Sequence, residues 1–169
     1  LYLAAGQHQD AVTPIESAHK QIRVLQLINA WRYRGHQAAR LDPLGLREAP
    51  AIPELDLRHH GLTDNDLDTI FETGSLVGPR QATLREILAQ LRTTYGGCVG
   101  AEYMHITDTA EKRWLQSSLE SVRGLPAYPP EVRRNLLARL TAAEGIEHYL
   151  HNKYVGQKRF SLEGAESLI

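Results

Sequence analysis

Residues 13–39 read TPIESAHKQIRVLQLINAWRYRGHQAA, and this stretch decides the fold class. Thr13, Pro14 and Glu16 supply an N-cap, a first-turn proline and a capping-box acid. Apolar residues then recur at helical spacing along one line, widened by a second set. The line is Ile15, Ala18, Ile22, Leu25 and Ile28, and the second set is Val24, Leu27 and Trp31. The stretch predicts a long helix from Pro14 to about Ala39 and a mainly α fold.

Residues 41–62 have a different composition, because prolines and glycines interrupt them. These are Pro43, Gly45, Pro50, Pro53 and Gly61. Proline lacks a backbone donor, so neither a helix nor a central strand can run through this region. We expect a proline-rich extended arm that lies on a surface.

Capping boxes mark further helix starts, since each places an acid three residues after a threonine or aspartate. The pairs are Thr63 with Asp66, Thr83 with Glu86, and Asp108 with Glu111. They predict a short helix over residues 63–71, a helix from 83 to the glycines at 96 and 97, and a helix from 108 to about 122.

Proline, glycine and one further capping pair predict the remaining elements. Pro129-Pro130 predicts a helix to about Leu140, and Thr141 with Glu144 predicts a restart that runs to about Tyr154. Residues 98–106 are short, rich in small residues and bounded by glycine, which favours a strand or an extended buried segment over a helix.

Charge and cysteine content restrict the function classes. The 169 residues include 19 basic and 20 acidic side chains, and a net charge of -1 argues against a nucleic-acid partner. Cys98 is the only cysteine, which excludes an internal disulfide and fits the cytoplasm. The longest apolar stretch, residues 24–31, is far shorter than the roughly 20 residues of a membrane span. We therefore expect a soluble protein with no membrane partner.

Three groups of histidines, two of them with a nearby glutamate, are candidate metal ligands. Glu102 and His105 match the Glu-x-x-His motif that di-iron helical bundles carry on each of two helices, but the sequence has no second copy of this motif. Glu144, His148 and His151 share one helical face, and His59-His60 lies in the arm. The ligand count favours ordinary polar side chains, so we expect no metal.

Arg32, His36 and Arg40 follow one another at four-residue spacing near the end of the long helix. Positive charge there suits the helix dipole, which explains the pattern structurally. An anion or nucleotide-phosphate site is the alternative, because arginine pairs with carboxylate or phosphate. A helical module that binds a protein or a nucleotide through these residues remains an open interpretation.

Four blocks of sequence carry a family resemblance. They are LQLINAWRYRGH at 25–36 running into LDPLG at 41–45; EYMHI at 102–106; EKRWLQ at 111–116; and LTAAEG at 140–145 joined to KYVGQKRFSLEG at 153–164. In this order they resemble the N-terminal portion of the thiamine-diphosphate-dependent first component of 2-oxoglutarate dehydrogenase. The resemblance covers about residues 20–169.

This resemblance implies a larger enzyme. Members of the family decarboxylate 2-oxoglutarate on thiamine diphosphate with magnesium and pass the succinyl group to lipoamide, a step of the tricarboxylic acid cycle. They act as homodimers, in a complex with dihydrolipoyl succinyltransferase and dihydrolipoyl dehydrogenase. The diphosphate motif and the catalytic histidines of the family lie beyond Ile169, so no catalytic residue is expected in this chain. We also expect no bound cofactor and no activity of the chain by itself.

The resemblance also implies a domain division and a pocket residue. Residues 1–13 are expected to be a flexible segment, 14–158 a helical domain, and 159–169 the start of an α/β thiamine-diphosphate-binding domain. Phe160 corresponds to a residue that lines the substrate and cofactor pocket, and Arg159 is a weaker candidate beside it. Because the chain opens on Leu1 and stops just after a capped apolar segment, we expect a piece of a longer protein.

Overall fold

A computed structural model describes residues 14–46, 50–156, 158 and 161–166. The chain divides into two compact units, Leu1–Pro126 and Ala127–Ile169, which are called the first and second units below. The predicted domain boundaries before Pro14 and after Lys158 fall next to residues outside the described set, so they stay predictions.

The mainly α fold class is confirmed. The described residues form four α-helices, and two short strands pair antiparallel with Phe71 opposite Ala82. The helices are α1 Pro14–Ala38, α2 Leu84–Tyr95, α3 Thr109–Ser121 and α4 Pro130–Lys153, and the strands are β1 Ile70–Glu72 and β2 Gln81–Thr83. None of the described helices is both long and apolar enough to cross a membrane.

The core of the first unit forms where α1 meets α2. From α1 it takes Val24, Leu27, Ile28 and Trp31, and from α2 it takes Leu84, Ile87, Leu88, Leu91 and Tyr95. The apolar line predicted for α1 is therefore wrong at its start, since Ile15 is 71% and Ile22 is 54% exposed. The buried face is the one that carries Val24, Leu27 and Trp31, because α2 and the arm pack against that side.

The arm packs on α1 through two leucines. Its described residues contain no α-helix or strand, as predicted, but they form two short 3-10 turns, Pro53–Leu55 and Leu57–His60. Leu55 and Leu62 are buried. Gly61 ends the second turn in the left-handed region, with φ 64°.

Two predictions for the middle of the chain need correction. The helix over residues 63–71 is wrong, because only a 3-10 turn, Asp64–Asp66, follows Thr63 before β1 begins. The capping box itself is present, with the Thr63 backbone N–H donating to Asp66 Oδ2 at 2.8 Å. Residues 98–106 form no strand, so that prediction is wrong. They are irregular, with a turn at 104–105, and Tyr103 alone among them is buried, so they do not form a buried extended segment either.

The second unit is built around α4. This helix runs without interruption from Pro130 to Lys153, so the predicted restart at Thr141 is wrong. A capping box needs a non-helical N-cap, and Thr141 lies inside a continuous helix. No residue of α4 is buried, and Leu136, Leu137 and Ile146 are 43%, 65% and 58% exposed. After α4 the chain returns to it, where the Glu147 carboxylate accepts from the Leu162 backbone N–H.

Candidate functional site

Phe160 and Arg159, the predicted pocket-wall residues, lie outside the described residues. Their role therefore stays a prediction. The polar site with the most complete geometry lies in the first unit, around two oppositely charged side chains.

Arg32 of α1 and Glu120 of α3 form a buried ion pair across 88 residues of sequence. Arg32 Nε lies 2.8 Å from Glu120 Oε1. Arg32 is 4% and Glu120 is 1% exposed. Removing two charges from water costs several kcal/mol per ion in principle, so such a pair persists only when further hydrogen bonds satisfy both groups.

Glu120 receives those further bonds from two other elements. The Tyr95 hydroxyl donates to Glu120 Oε1 at 2.7 Å, and the Val77 backbone N–H donates to Oε2 at 2.9 Å. Because the Tyr95 proton is used in this way, the Tyr103 hydroxyl donates to Tyr95 across 2.8 Å. Both oxygens of the carboxylate are thus occupied, and α2, α3 and residues 98–106 are tied together.

Arg32 is satisfied on its other side by Ser75. Its Nη1 donates to Ser75 Oγ at 3.0 Å, and its Nη2 donates to the Ser75 carbonyl at 3.1 Å. Gln116, one turn before Glu120 on α3, donates to the same carbonyl at 2.8 Å. The loop between the two strands is held by these bonds.

The buried network shifts the pKa values of Tyr95, Tyr103 and Arg32. Burial, and then the negative charge of Glu120, raise the pKa of Tyr95 well above its usual range. Burial also raises the pKa of Tyr103. For Arg32, burial by itself would lower the pKa, but the hydrogen bond and charge of Glu120 outweigh it and raise the pKa. These shifts keep the two tyrosines neutral and Arg32 charged near neutral pH, so these three side chains have a structural role.

This arrangement separates the three residues of the predicted anion site. Arg32 is occupied by Glu120 and Ser75 and is closed to an external anion. His36 is half-buried and Arg40 is exposed, and both line a surface cleft of about 870 Å³ at the end of α1. The sequence interpretation lacked the carboxylate partner, because nothing in α1 points to a glutamate 88 residues away.

The histidine groups do not assemble a metal centre in the described parts of the chain. Glu102 and His105 are both exposed on either side of the buried Tyr103, and Glu144, His148 and His151 are exposed on α4. Within the described residues, no group of three or more His, Cys, Asp or Glu side chains is placed to hold a metal ion.

Comparison with known proteins identifies close relatives over nearly the whole chain. No protein-family model matches the chain. It is 52% identical over 162 residues to the 2-oxoglutarate dehydrogenase E1 component of Azotobacter vinelandii, a match that covers 94% of this chain and 17% of that protein. The E1 component of Haemophilus influenzae is 46% identical over 172 residues, covering 99% of this chain and 18% of that protein.

The name of a third relative joins two components, E1 and E2. The 2-oxoglutarate dehydrogenase E1/E2 component of Corynebacterium glutamicum is 46% identical over 161 residues, covering 92% of this chain and 13% of that protein. The chain thus spans less than a fifth of the length of these relatives. As a segment of that length, it belongs to the family of 2-oxoglutarate dehydrogenase E1 components.

Proposed function

We propose that the chain is a helical framework segment, from the N-terminal part of a 2-oxoglutarate dehydrogenase E1 component, that supports the catalytic region without supplying catalytic groups. The observation that carries this proposal is the 52% identity across 94% of the chain. The buried Arg32–Glu120 network supports the framework role, since it locks three helices and the strand loop in place.

For the parent enzyme we propose the activity of the family. It decarboxylates 2-oxoglutarate oxidatively and transfers the succinyl group to lipoamide in the tricarboxylic acid cycle. It acts as a homodimer with dihydrolipoyl succinyltransferase and dihydrolipoyl dehydrogenase as partners. The single cysteine, Cys98, which is exposed and free, supports a cytoplasmic location in a reducing environment.

Thiamine diphosphate and magnesium, which this activity requires, do not fit the described residues. A magnesium ion takes oxygen ligands, and the described part of the chain offers no cluster of carboxylates for it. Its most buried carboxylate, Glu120, has both oxygens engaged by the protein. We propose that the parent enzyme holds its cofactor with residues outside this described set.

The chain by itself should have no activity. The test supplies the purified 169-residue chain with 2-oxoglutarate, thiamine diphosphate, magnesium and an artificial electron acceptor. We expect no turnover above a blank without protein, while the parent enzyme under the same conditions reduces the acceptor. Measurable turnover by the chain would overturn the framework role.

Phe160 is proposed as a wall of the substrate and cofactor pocket in the parent enzyme, with Arg159 beside it. An aromatic wall excludes water and lowers the local dielectric, which strengthens electrostatic stabilisation of the reacting groups. In the full-length enzyme, Phe160→Ala should lower kcat/KM about tenfold or more, a loss of ~1.4 kcal/mol of transition-state stabilisation. Tyr33→Ala, at an aromatic residue that is 58% exposed, is the control and should keep the parent rate.

A further inference from the structure

A basic cleft of about 610 Å³ opens between α1 and the second 3-10 turn of the arm. Its lining comes from two short stretches of chain, namely Arg23 and Gln26 of α1 and Arg58, His59, His60 and Gly61 of the arm. We refer to it as the basic cleft. It is separate from the Arg32–Glu120 network.

The fold brings these cations to one place through a glycine. Arg23 and Gln26 are three residues apart on α1 and therefore share one face. Arg23 Nη1 donates to the Gly61 carbonyl at 3.2 Å. A Cβ at Gly61 would lie 3.1 Å from that nitrogen, and the residue has φ 64°, so glycine suits both the turn and the close approach of the guanidinium.

The cleft has positive charge without a carboxylate in its lining. The two acids among residues 50–62 are engaged nearby: Glu54 pairs with Arg34 at 3.1 Å, and Asp56 Oδ1 accepts from the Arg58 backbone N–H at 2.8 Å. His60 Nε2 donates to the Glu54 carbonyl at 2.9 Å, which fixes its ring. Within the described part of the chain, neither Arg58 nor Arg23 forms an ion pair with an acid.

We propose that the basic cleft binds a small polyvalent anion that carries phosphate groups or clustered carboxylates. Guanidinium groups match the oxygens of both, and imidazoles add further donors. The volume lies within the roughly 300–1,000 Å³ typical of small-molecule sites. The lining has no apolar side chain, so the ligand is polar throughout. This inference does not depend on the proposed function.

Calorimetric titration of the 169-residue chain tests the proposal, with inorganic pyrophosphate in one arm and citrate in the other. We expect saturable binding at one site per chain at low ionic strength, weakening as sodium chloride is added because exposed charges are screened. Binding of pyrophosphate only identifies a phosphate ligand, binding of citrate only identifies a carboxylate ligand, and binding of both supports the shared chemistry.

Arg58→Gln is the decisive variant, since its side chain holds no other part of the fold in the described residues. It should weaken binding about tenfold, the loss expected when one charged hydrogen-bonding group is removed. Arg133→Gln makes the same charge change on the exposed surface of α4 and should leave the affinity unchanged. If Arg58→Gln lowers the melting temperature of the chain, His59→Gln replaces it as the test variant. Absence of saturable heat with both anions, or equal weakening by the Arg133 control, overturns the proposal.

Discussion

The two units of this chain contain helices with equally clear starts, but these helices bury very different amounts of apolar surface. In the first unit, the 12 residues of α2 include Leu84, Ile87, Leu88 and Leu91, each 4% exposed or less. In the second unit, the 24 residues of α4 include no buried residue. Proline and capping residues determine where a helix begins, whereas burial depends on a partner surface supplied from elsewhere in the sequence.

The largest expected effect comes from breaking the buried ion pair that distinguishes the first unit. Glu120→Leu leaves the Arg32 guanidinium buried without its carboxylate, which should cost about 3–5 kcal/mol of unfolding free energy. Urea unfolding at pH 7 measures the loss. Glu144→Leu, at an exposed position of α4, is the matched control and should leave the stability nearly unchanged.

A double variant distinguishes the cost of the unpaired Arg32 charge from the cost of the lost hydrogen bonds. Arg32→Met combined with Glu120→Leu removes both buried charges and should recover most of the lost stability, because apolar pairs of similar volume replace buried ion pairs at little cost. If the double variant is as unstable as Glu120→Leu, then the hydrogen bonds to Ser75, Val77 and Tyr95 matter more than the uncompensated charge.

A leucine truncation in each unit tests the difference in burial directly. Leu91→Ala, at a position that is 0% exposed, should destabilise the first unit by about 2–5 kcal/mol through lost transfer energy and a cavity. Leu137→Ala makes the same chemical change where the side chain is 65% exposed and should have little effect. Chemical denaturation of the two variants in parallel gives the comparison, and similar losses would contradict it.

Two glycines should respond to the same substitution with opposite signs. A Cβ at Gly35 of α1 would lie 2.5 Å from Tyr95 Cβ, so Gly35→Ala should cost about 1–3 kcal/mol by overpacking. Gly145 of α4 has nothing within 4 Å of such a Cβ, and Gly145→Ala should stabilise the helix by up to about 1 kcal/mol. Thermal melts followed at 222 nm measure both, and a lower Tm for Gly145→Ala would show that α4 is packed at that point.

The smallest effect concerns acid stability of the first unit. Burial would raise the pKa of Asp66, but hydrogen bonds from Lys20, at 2.8 Å, and from Thr63 outweigh it and hold the pKa below its usual value. The folded state therefore binds this proton less readily than the unfolded state. The stabilisation contributed by the ionised Asp66 carboxylate is fully present above the unfolded-state pKa of about 3.9. It is lost as the pH falls through the lower folded-state pKa.

Asp66→Asn removes that contribution. It should reduce stability at pH 7 by about 1 kcal/mol and flatten the dependence of stability on pH in the acid range. Acid titrations of the unfolding free energy, with the exposed Asp64→Asn as control, provide the measurement. If the unfolding free energy of Asp66→Asn falls with decreasing pH as steeply as that of the parent chain, the Lys20 contact does not persist in solution.

Local signals in the sequence predicted most of the helices. Pro14 marks the start of α1, Thr83 with Glu86 caps α2, and Asp108 caps α3 by accepting from the Glu111 backbone N–H. Each of these signals acts within four residues, so it can be recognised without knowing the fold. At Thr63 such a local signal predicted a helix that does not form. The capping box is present there, but the chain leaves the 3-10 turn and forms β1.

Long-range features could not be predicted in this way. The pairing of β1 with β2, the buried face of α1 and the contact of Arg32 with Glu120 all depend on residues distant in sequence. From the sequence alone, the helix dipole explains Arg32 and an anion site is the alternative, because the buried carboxylate partner is 88 residues away. The basic cleft was also missed, because Arg23 and the arm residues that complete it come from elements that meet only in the folded chain.

Native-state hydrogen exchange of the 169-residue chain tests most directly the claim that the first unit has a locked core and α4 does not. We expect the amides of α1 and α2, together with the Val77 N–H that donates to Glu120, to be protected up to the global unfolding free energy. The amides of α4 should exchange through much lower-energy local opening. Protection of α4 equal to that of α1 and α2 would contradict the account.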